Sequence, residues 1–453
     1  MTALPSAVIR VLCAAAFAAV LLAPGASPAV TVERVVSPGG IEAWLVRDTM
    51  VPLVAIEFSF RGGGALDPSG KAGLADMTTS LLDEGAGDID SQAFQQKLSD
   101  LAVEMSFSAG ADTIRGSFKT LNRSRDEAVA LLRLALTAPR FDADAVERIR
   151  QQILAALSRK STDPDEIAGR IWWKAVFPDH PYGTPVEGTP QSIAAVTVPD
   201  MRSLVAERFA RDQLIVGVVG DITPDELGPL LDRAFGDLPA KGKPARLSEA
   251  AFHAAGQTFI VRQDVPQSVV LFGQPGVKRD HPDYYTAYVM NYVLGGGGFS
   301  SRLYDEVREK RGLAYSVYSY ISPMDAAGVL AGGVSTENSR VGESLAVIRA
   351  EWARMRDGGV TDAELNDAKT YLTGSFPLRF TSTDSIARML VGMQYNDLGI
   401  DYIDRRNAYI EAVTKDDIAR VAKSLLKPAE LTFVIVGDPK GVEATAEAPD
   451  ISG

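Results

Sequence analysis

The chain has 453 residues, of which 46% are hydrophobic and 23% are charged, and its formal net charge is −12. This length exceeds what one ordinary hydrophobic core organises, so two or more domains are expected. The chain contains no basic run, and the acidic balance argues against nucleic acid as a partner.

The first 29 residues predict a secretory signal peptide. An apolar stretch from Val11 to Ala23 is followed by small residues up to Ala29, near which cleavage is expected. The run is short for a membrane-spanning helix, so we expect no span after signal removal. Cys13, the single cysteine, lies inside this segment, so the mature chain is expected to form no disulfides. The prediction is a secreted, periplasmic protein.

The chain contains an internal duplication. Residues 196–221 and 413–438 each read as a polar cap, an amphipathic helix and a β-branched strand ending in Val-Gly-Asp, at an offset of 217 residues (413 − 196). Two further pairs match upstream, namely the strands 53–60 and 267–274 and the helices 141–157 and 360–376. Because strands and helices come in blocks, a mixed or antiparallel sheet with helices on one side is favoured.

The predicted fold is therefore α+β: two homologous α/β-roll domains, related by duplication, that enclose a chamber. The predicted boundaries are a signal peptide at 1–29, an N-terminal domain at 30–234, a linker at 235–256 and a C-terminal domain at 257–445.

Two stretches resemble a known family. "HPYGTPVEGTPQSI" (180–193) and "YVLGGGGFSSRLYDEVREKRGLAYSVYSY" (292–320) are similar to segments of the pitrilysin/insulysin-type zinc metallopeptidases, in their processing-peptidase-like branch. Active relatives carry an H-x-x-E-H zinc motif on a helix after Gly-Leu-Ala. The same place in this chain reads "DMTTS".

The resemblance places Asp76, Thr79 and Ser80 at the positions of the first His, the Glu and the second His, and Ala156 at the third ligand. It therefore implies a chain with no zinc and no other cofactor of its own. A hard cation at Asp76, Asp83 and Glu84 is an alternative, although a solvated helix end explains Asp83 and Glu84 equally well. The three histidines lie too far apart in sequence to form a pair, and His180 is expected to make a structural hydrogen bond.

The resemblance also implies a surviving part of the active site. Relatives use an Arg and a Tyr seven residues apart, which correspond here to Arg308 and Tyr315, to contact the substrate and the developing oxyanion. Arg311 and Tyr318 are the nearest competitors, and a plain amphipathic helix end is the alternative explanation. The resemblance assigns peptide binding to the glycine-rich loop, which consists of Gly295, Gly296, Gly297, Gly298 and Phe299.

Two functional hypotheses follow. The first is the non-catalytic subunit of a secreted heterodimeric zinc peptidase, inactive alone, which donates Arg308 and Tyr315 to the site of a homologous zinc-bearing partner that hydrolyses peptides. The second is a catalytically dead peptide-binding or scaffold protein that forms a homodimer. The Arg308/Tyr315 pair discriminates between them, because a scaffold does not need it.

Overall fold

The computed structural model describes residues 31–244 and 246–451, so the predicted signal peptide lies outside the described residues. The strands are β1 Glu33–Val36, β2 Glu42–Arg47, β3 Leu53–Arg61, β4 Gly85–Ala86, β5 Ile89–Asp90, β6 Glu104–Ala109, β7 Thr113–Leu121, β8 Leu214–Gly220, β9 Thr258–Arg262, β10 Gln267–Pro275, β11 Ala314–Pro323, β12 Gly328–Glu337 and β13 Thr432–Gly437. The helices are α1 Leu74–Thr79, α2 Ser91–Asp100, α3 Arg125–Thr137, α4 Ala143–Lys160, α5 Pro164–Val176, α6 Pro190–Ala195, α7 Val198–Arg208, α8 Pro224–Phe235, α9 Tyr284–Asn291, α10 Val341–Gly358, α11 Asp362–Gly374, α12 Thr383–Tyr395, α13 Tyr402–Glu411 and α14 Lys415–Leu425. None of these helices is both long and apolar enough to cross a membrane.

The strands form two large mixed sheets with the same topology. The first runs β1-β2-β8-β3-β7-β6 and the second runs β9-β13-β10-β12-β11, while β4 and β5 pair separately. If β1 is left out, each strand of the first sheet has a counterpart at the same position of the second sheet. Each sheet also contains one parallel pair, which is β2 with β8 in the first sheet and β9 with β13 in the second. The predicted duplication and the α+β class are confirmed, whereas the four domain boundaries stay a prediction.

Helices cover the outer face of each sheet. In the first half, alternate residues of β3, such as Ile56, Phe58 and Phe60, are buried against helices that include α1 and α8. In the second half, Phe272 and Phe433 of the sheet are buried together with Trp352 of α10. The period-2 strands and the amphipathic helices thus form one hydrophobic core per half.

The inner faces are covered by exchanged helices. Helix α5 of the first half lies on β10 and β13 of the second sheet, where Trp172 is buried. Helix α12 of the second half lies on β3 and β8 of the first sheet, where Leu390 is buried. Each close approach uses a glycine: a Cβ at Gly273 would lie 2.9 Å from the Trp172 ring, and one at Gly217 would lie 2.5 Å from the Ala387 carbonyl.

The two halves also meet at equivalent hairpin turns. The hydroxyl of Tyr182 donates to Asp112 at 2.6 Å and accepts from the Ala326 N–H at 3.0 Å. The Asp325 N–H donates to Asp112 at 3.2 Å, and the Tyr395 hydroxyl donates to Asp325 at 2.7 Å. Cavities of about 350 and 680 Å³ lie at this seam.

Candidate functional site

The helix at the zinc-motif position holds its own polar groups. Both the Thr79 and the Ser80 hydroxyls donate to the Asp76 carbonyl at 2.9 Å, and Thr79 is buried. These hydroxyls therefore satisfy the end of α1 rather than a ligand. Ala156, on α4, offers no side-chain donor atom, so none of the four positions can supply an imidazole or the glutamate of the motif.

A lysine ammonium lies beside this helix. Lys160 follows Ala156 by one turn of α4, and its Nζ lies 2.9 Å from a Glu187 oxygen and 3.4 Å from a Glu166 oxygen. Burial raises the pKa of Asp76 to about 6; the charge of Glu187 raises it further, and the charge of Lys160 opposes the rise. A fixed ammonium thus neutralises acidic side chains near the degenerate motif. Sequence reasoning missed it, although a residue four positions after Ala156 must lie on the same face of the helix.

Asp76, Asp83 and Glu84, the alternative site for a hard cation, do not form a set of metal ligands. Asp83 accepts a hydrogen bond from Gln95 at 3.2 Å, and Glu84 forms an ion pair with Arg148 at 2.6 Å. In residues 31–244 and 246–451 no group of three or more His, Asp or Glu side chains could hold a metal ion. The residues present therefore do not fit the zinc ion that active relatives bind.

His180 has a structural role, as the sequence indicates. Its Nδ1 accepts from the Tyr182 N–H at 3.2 Å, which caps the short turn that follows. Its Nε2 lies 3.0 Å from the Ser248 carbonyl and therefore carries the proton that this contact needs. Both ring nitrogens are occupied, so the imidazole is not free to act as a base.

Arg308 and Tyr315 lie together. The chain turns back at Gly312, whose φ is +58°, so the end of the Tyr304–Glu309 π-helical turn faces the first residues of β11. The Arg308 guanidinium carbon is 4.6 Å from the Tyr315 ring centroid and 4.9 Å from that of Tyr304. Such a cation–π contact holds both side chains in place. Tyr315 remains 79% exposed.

The competing residues have other environments. Arg311 donates to Glu306 at 2.5 Å, and hydrogen bonds from Lys310 and Arg311 hold the pKa of Glu306 at about 2. Arg308 forms a weaker ion pair, because its Nε lies 3.8 Å from Oε1 of Glu309. The Tyr318 ring stacks on that of Tyr320, with the ring centroids 6.1 Å apart. In the part of the chain that the structure describes, Arg308 and Tyr315 have contacts only with residues of the second half.

The glycine-rich loop packs tightly before it reaches the surface. A Cβ at Gly295 would lie 2.3 Å from the Ser319 hydroxyl, and one at Gly296 would lie 2.8 Å from the Asn291 amide. Gly298 has a φ of +56°, which favours glycine, and it presents Phe299, which is 80% exposed and contacts Tyr304 edge-on at 4.9 Å. Packing explains Gly295 and Gly296, while Phe299 extends the exposed Arg308 and Tyr315 surface through Tyr304.

Comparison with known proteins identifies the family. A non-peptidase homologue, YmxG of Helicobacter pylori, is 30% identical over 394 residues, which are 86% of this chain and 90% of that protein. The family model described as the peptidase M16 inactive domain matches residues 195–372. The chain belongs to the peptidase M16 family. A probable mitochondrial-processing peptidase subunit beta of Schizosaccharomyces pombe is 28% identical over 334 residues, 70% of this chain and 71% of that protein.

Solved structures agree. The crystal structure of an M16 inactive domain from Pseudomonas fluorescens has a TM-score of 0.85 and 26% identity, and the match covers 93% of this chain and 100% of that one. The sequence-based family assignment is confirmed: the protein is an inactive M16 member, homologous to processing-peptidase beta subunits.

Proposed function

We propose that this inactive M16 protein is the non-catalytic subunit of a secreted, periplasmic zinc peptidase. Its partner is a homologous chain that carries H-x-x-E-H and the zinc ion, and the substrate is a peptide held between the two chains. This chain contributes Arg308 and Tyr315 to binding, with Phe299 and the glycine-rich loop beside them. The second candidate, a dead peptide-binding homodimer, is an outcome of the test.

One observation carries the proposal. The Arg308 guanidinium lies against an exposed tyrosine ring, and Tyr315 is 79% exposed. At the zinc positions, by contrast, Thr79 and Ser80 bond to the helix backbone and Ala156 has no ligand atom. A large aromatic side chain exposed to water is unfavourable, and contact with a partner or a ligand would bury its apolar surface. The homologous subunit beta of Schizosaccharomyces pombe, by its name, works in an assembly of more than one chain.

The pair can act without a metal in this chain. The free N–H groups of Arg308 can bind a peptide carbonyl or a carboxylate. The Tyr315 hydroxyl can donate a hydrogen bond to an oxygen that gains negative charge during hydrolysis. Both groups would act on a substrate bound to the partner.

The test is a peptidase assay with a quenched peptide on this protein, on its zinc-bearing homologue, and on the two mixed. We expect turnover only in the mixture. Arg308→Ala and Tyr315→Phe should each lower kcat/KM of the mixture by on the order of 10²-fold while pairing is retained.

A matched control is present on α13. Arg405 lies over Tyr409 with its guanidinium carbon 5.8 Å from the ring centroid and donates to the Tyr409 hydroxyl at 2.7 Å. Arg405→Ala and Tyr409→Phe should leave turnover unchanged. If the homologue is fully active alone, or if the mixture is inactive while this chain binds peptide as a homodimer, the second candidate is correct.

A further inference from the structure

A cavity of about 680 Å³ at the seam between the halves has no role in the proposed function. Its lining includes Arg61 at the end of β3, Arg115 on β7, and Lys278 and Arg279 before α9. The cavity thus receives cationic side chains from both halves of the duplication. It lies at the hairpin turns that join the halves, which include Asp112 and Asp325.

Two of the guanidinium groups are held in place by tyrosines. The Arg61 guanidinium carbon lies 4.5 Å from the Tyr395 ring centroid, and its Nη2 donates to the Tyr395 carbonyl at 3.0 Å. The Arg279 guanidinium carbon lies 4.1 Å from the Tyr284 ring centroid, and its Nη2 donates to the Tyr285 hydroxyl at 2.9 Å. These contacts restrict both side chains before any ligand binds, which lowers the entropic cost of binding.

The three arginines have no anionic partner in the described part of the chain. Arg61, Arg115 and Arg279 form no ion pair there, whereas Lys278 pairs with Glu249 at 2.7 Å. In the β3–β7 register, Arg61 lies opposite Thr113 and Arg115 opposite Ser59, so the two arginines are diagonal neighbours on the same face. Like charges this close repel each other, and a bound anion would remove that repulsion.

The carboxylates of the same lining are engaged or exposed. Asp112 accepts from the Tyr182 hydroxyl at 2.6 Å, and Asp325 accepts from the Tyr395 hydroxyl at 2.7 Å. Asp280 and Asp397 are exposed at the surface. Because these acids repel a polyanion, the site favours a ligand of low charge over a polyphosphate.

We propose that this cavity binds a ligand through its carboxylate groups, with Arg61 and Arg115 of the first half and Arg279 of the second half as the binding residues. The planar fork of a guanidinium group matches a carboxylate with two parallel hydrogen bonds. The carboxylate belongs to a small organic acid or to a peptide. Such a ligand bridges the two halves of the chain.

The test is isothermal titration calorimetry on the full chain at constant ionic strength, with succinate as the probe, succinamide as its neutral analogue and pyrophosphate as the polyanion. A peptide with a free and an amidated C-terminus distinguishes the two carboxylate sources. We expect succinate to bind and succinamide not to. Arg61→Met and Arg279→Met should each weaken binding by about tenfold or more.

Two further variants test whether any loss of binding comes from misfolding or from a general loss of positive charge. Arg115 is exposed, so Arg115→Met is expected to fold normally and should also weaken succinate binding. Arg262, exposed and paired with Asp438 at 2.8 Å, provides a matched loss of charge, and Arg262→Met should bind succinate normally. The proposal would be overturned if succinate did not bind, or if all four variants bound succinate equally well. It would also be overturned if pyrophosphate bound more tightly than succinate and this binding depended on the arginines.

Discussion

Replacing Asp76 by asparagine should stabilise the protein at neutral pH. Burial raises the pKa of this carboxyl from 3.8 to about 6 in the folded state, and no hydrogen bond to its side chain is recorded in the described residues. A raised carboxyl pKa means that the folded state binds the proton more tightly than the unfolded state. Stability is therefore lost as the pH rises from about 4 to about 6, and the full penalty is present above that range.

The magnitude follows from the two pKa values. The difference between 3.8 and about 6 corresponds to about 3 kcal/mol, at about 1.36 kcal/mol for each pH unit. The side-chain amide of asparagine resembles the neutral carboxyl, so Asp76→Asn should gain up to ~3 kcal/mol at pH 7.5 and less than about 1 kcal/mol at pH 4. Burial also raises the pKa of Asp67 to about 6. Because Asp67 is present in both proteins, its contribution to the pH dependence of stability largely cancels when the two are compared.

The assay is denaturant unfolding of both proteins between pH 4 and pH 8. A gain that is equal at all pH values, or a loss of stability at pH 7.5, would refute the reasoning. Lys160→Met supplies a second arm, because the ammonium opposes the rise in the pKa of Asp76 and pairs with Glu187. The lysine variant should be less stable above pH 6, and this loss should be smaller in the Asp76→Asn background.

Three further predictions concern packing, charge and metal. Gly217→Val should lower Tm and expose the inner face of the first sheet to a hydrophobic dye, because its Cβ would lie 2.5 Å from the Ala387 carbonyl. Arg302→Met should cost about 1–3 kcal/mol in denaturant unfolding, since it removes the buried 2.6 Å partner of Glu364, a partly exposed carboxylate that keeps its hydrogen bonds from Thr361; no measurable cost contradicts this. Elemental analysis should find no stoichiometric zinc, and one zinc per chain would contradict our interpretation of residues 76–80.

Local pattern predicted the repeated parts of the fold. Segments 53–60 and 267–274 form β3 and β10 at equivalent positions of the two sheets, and the Val-Gly-Asp ends place Gly220 and Gly437 in the same conformation, with a φ of +150° in each. The helix exchange was not predictable in this way. Periodicity shows that α5 and α12 have an apolar face, but it does not say which of two similar sheets each face covers.

The candidate site was also predictable only in part. The resemblance to the zinc metallopeptidases, rather than the spacing alone, indicated Arg308 and Tyr315 as a pair, and the turn at Gly312 brings them together. The bonding of Thr79 and Ser80 to the Asp76 carbonyl is local to one turn of helix. The ion pairs of Lys160 with glutamates on other elements depend on tertiary structure that no short motif encodes.

The exchange of α5 and α12 has a consequence for the origin of the chain. A single copy of the repeat would leave the inner face of its sheet bare, and it could cover that face only by accepting the helix of a second copy. Two such copies would form a closed two-fold dimer, since each gives what it receives. In this chain both copies belong to one polypeptide, so each half depends on the other half to cover the inner face of its sheet.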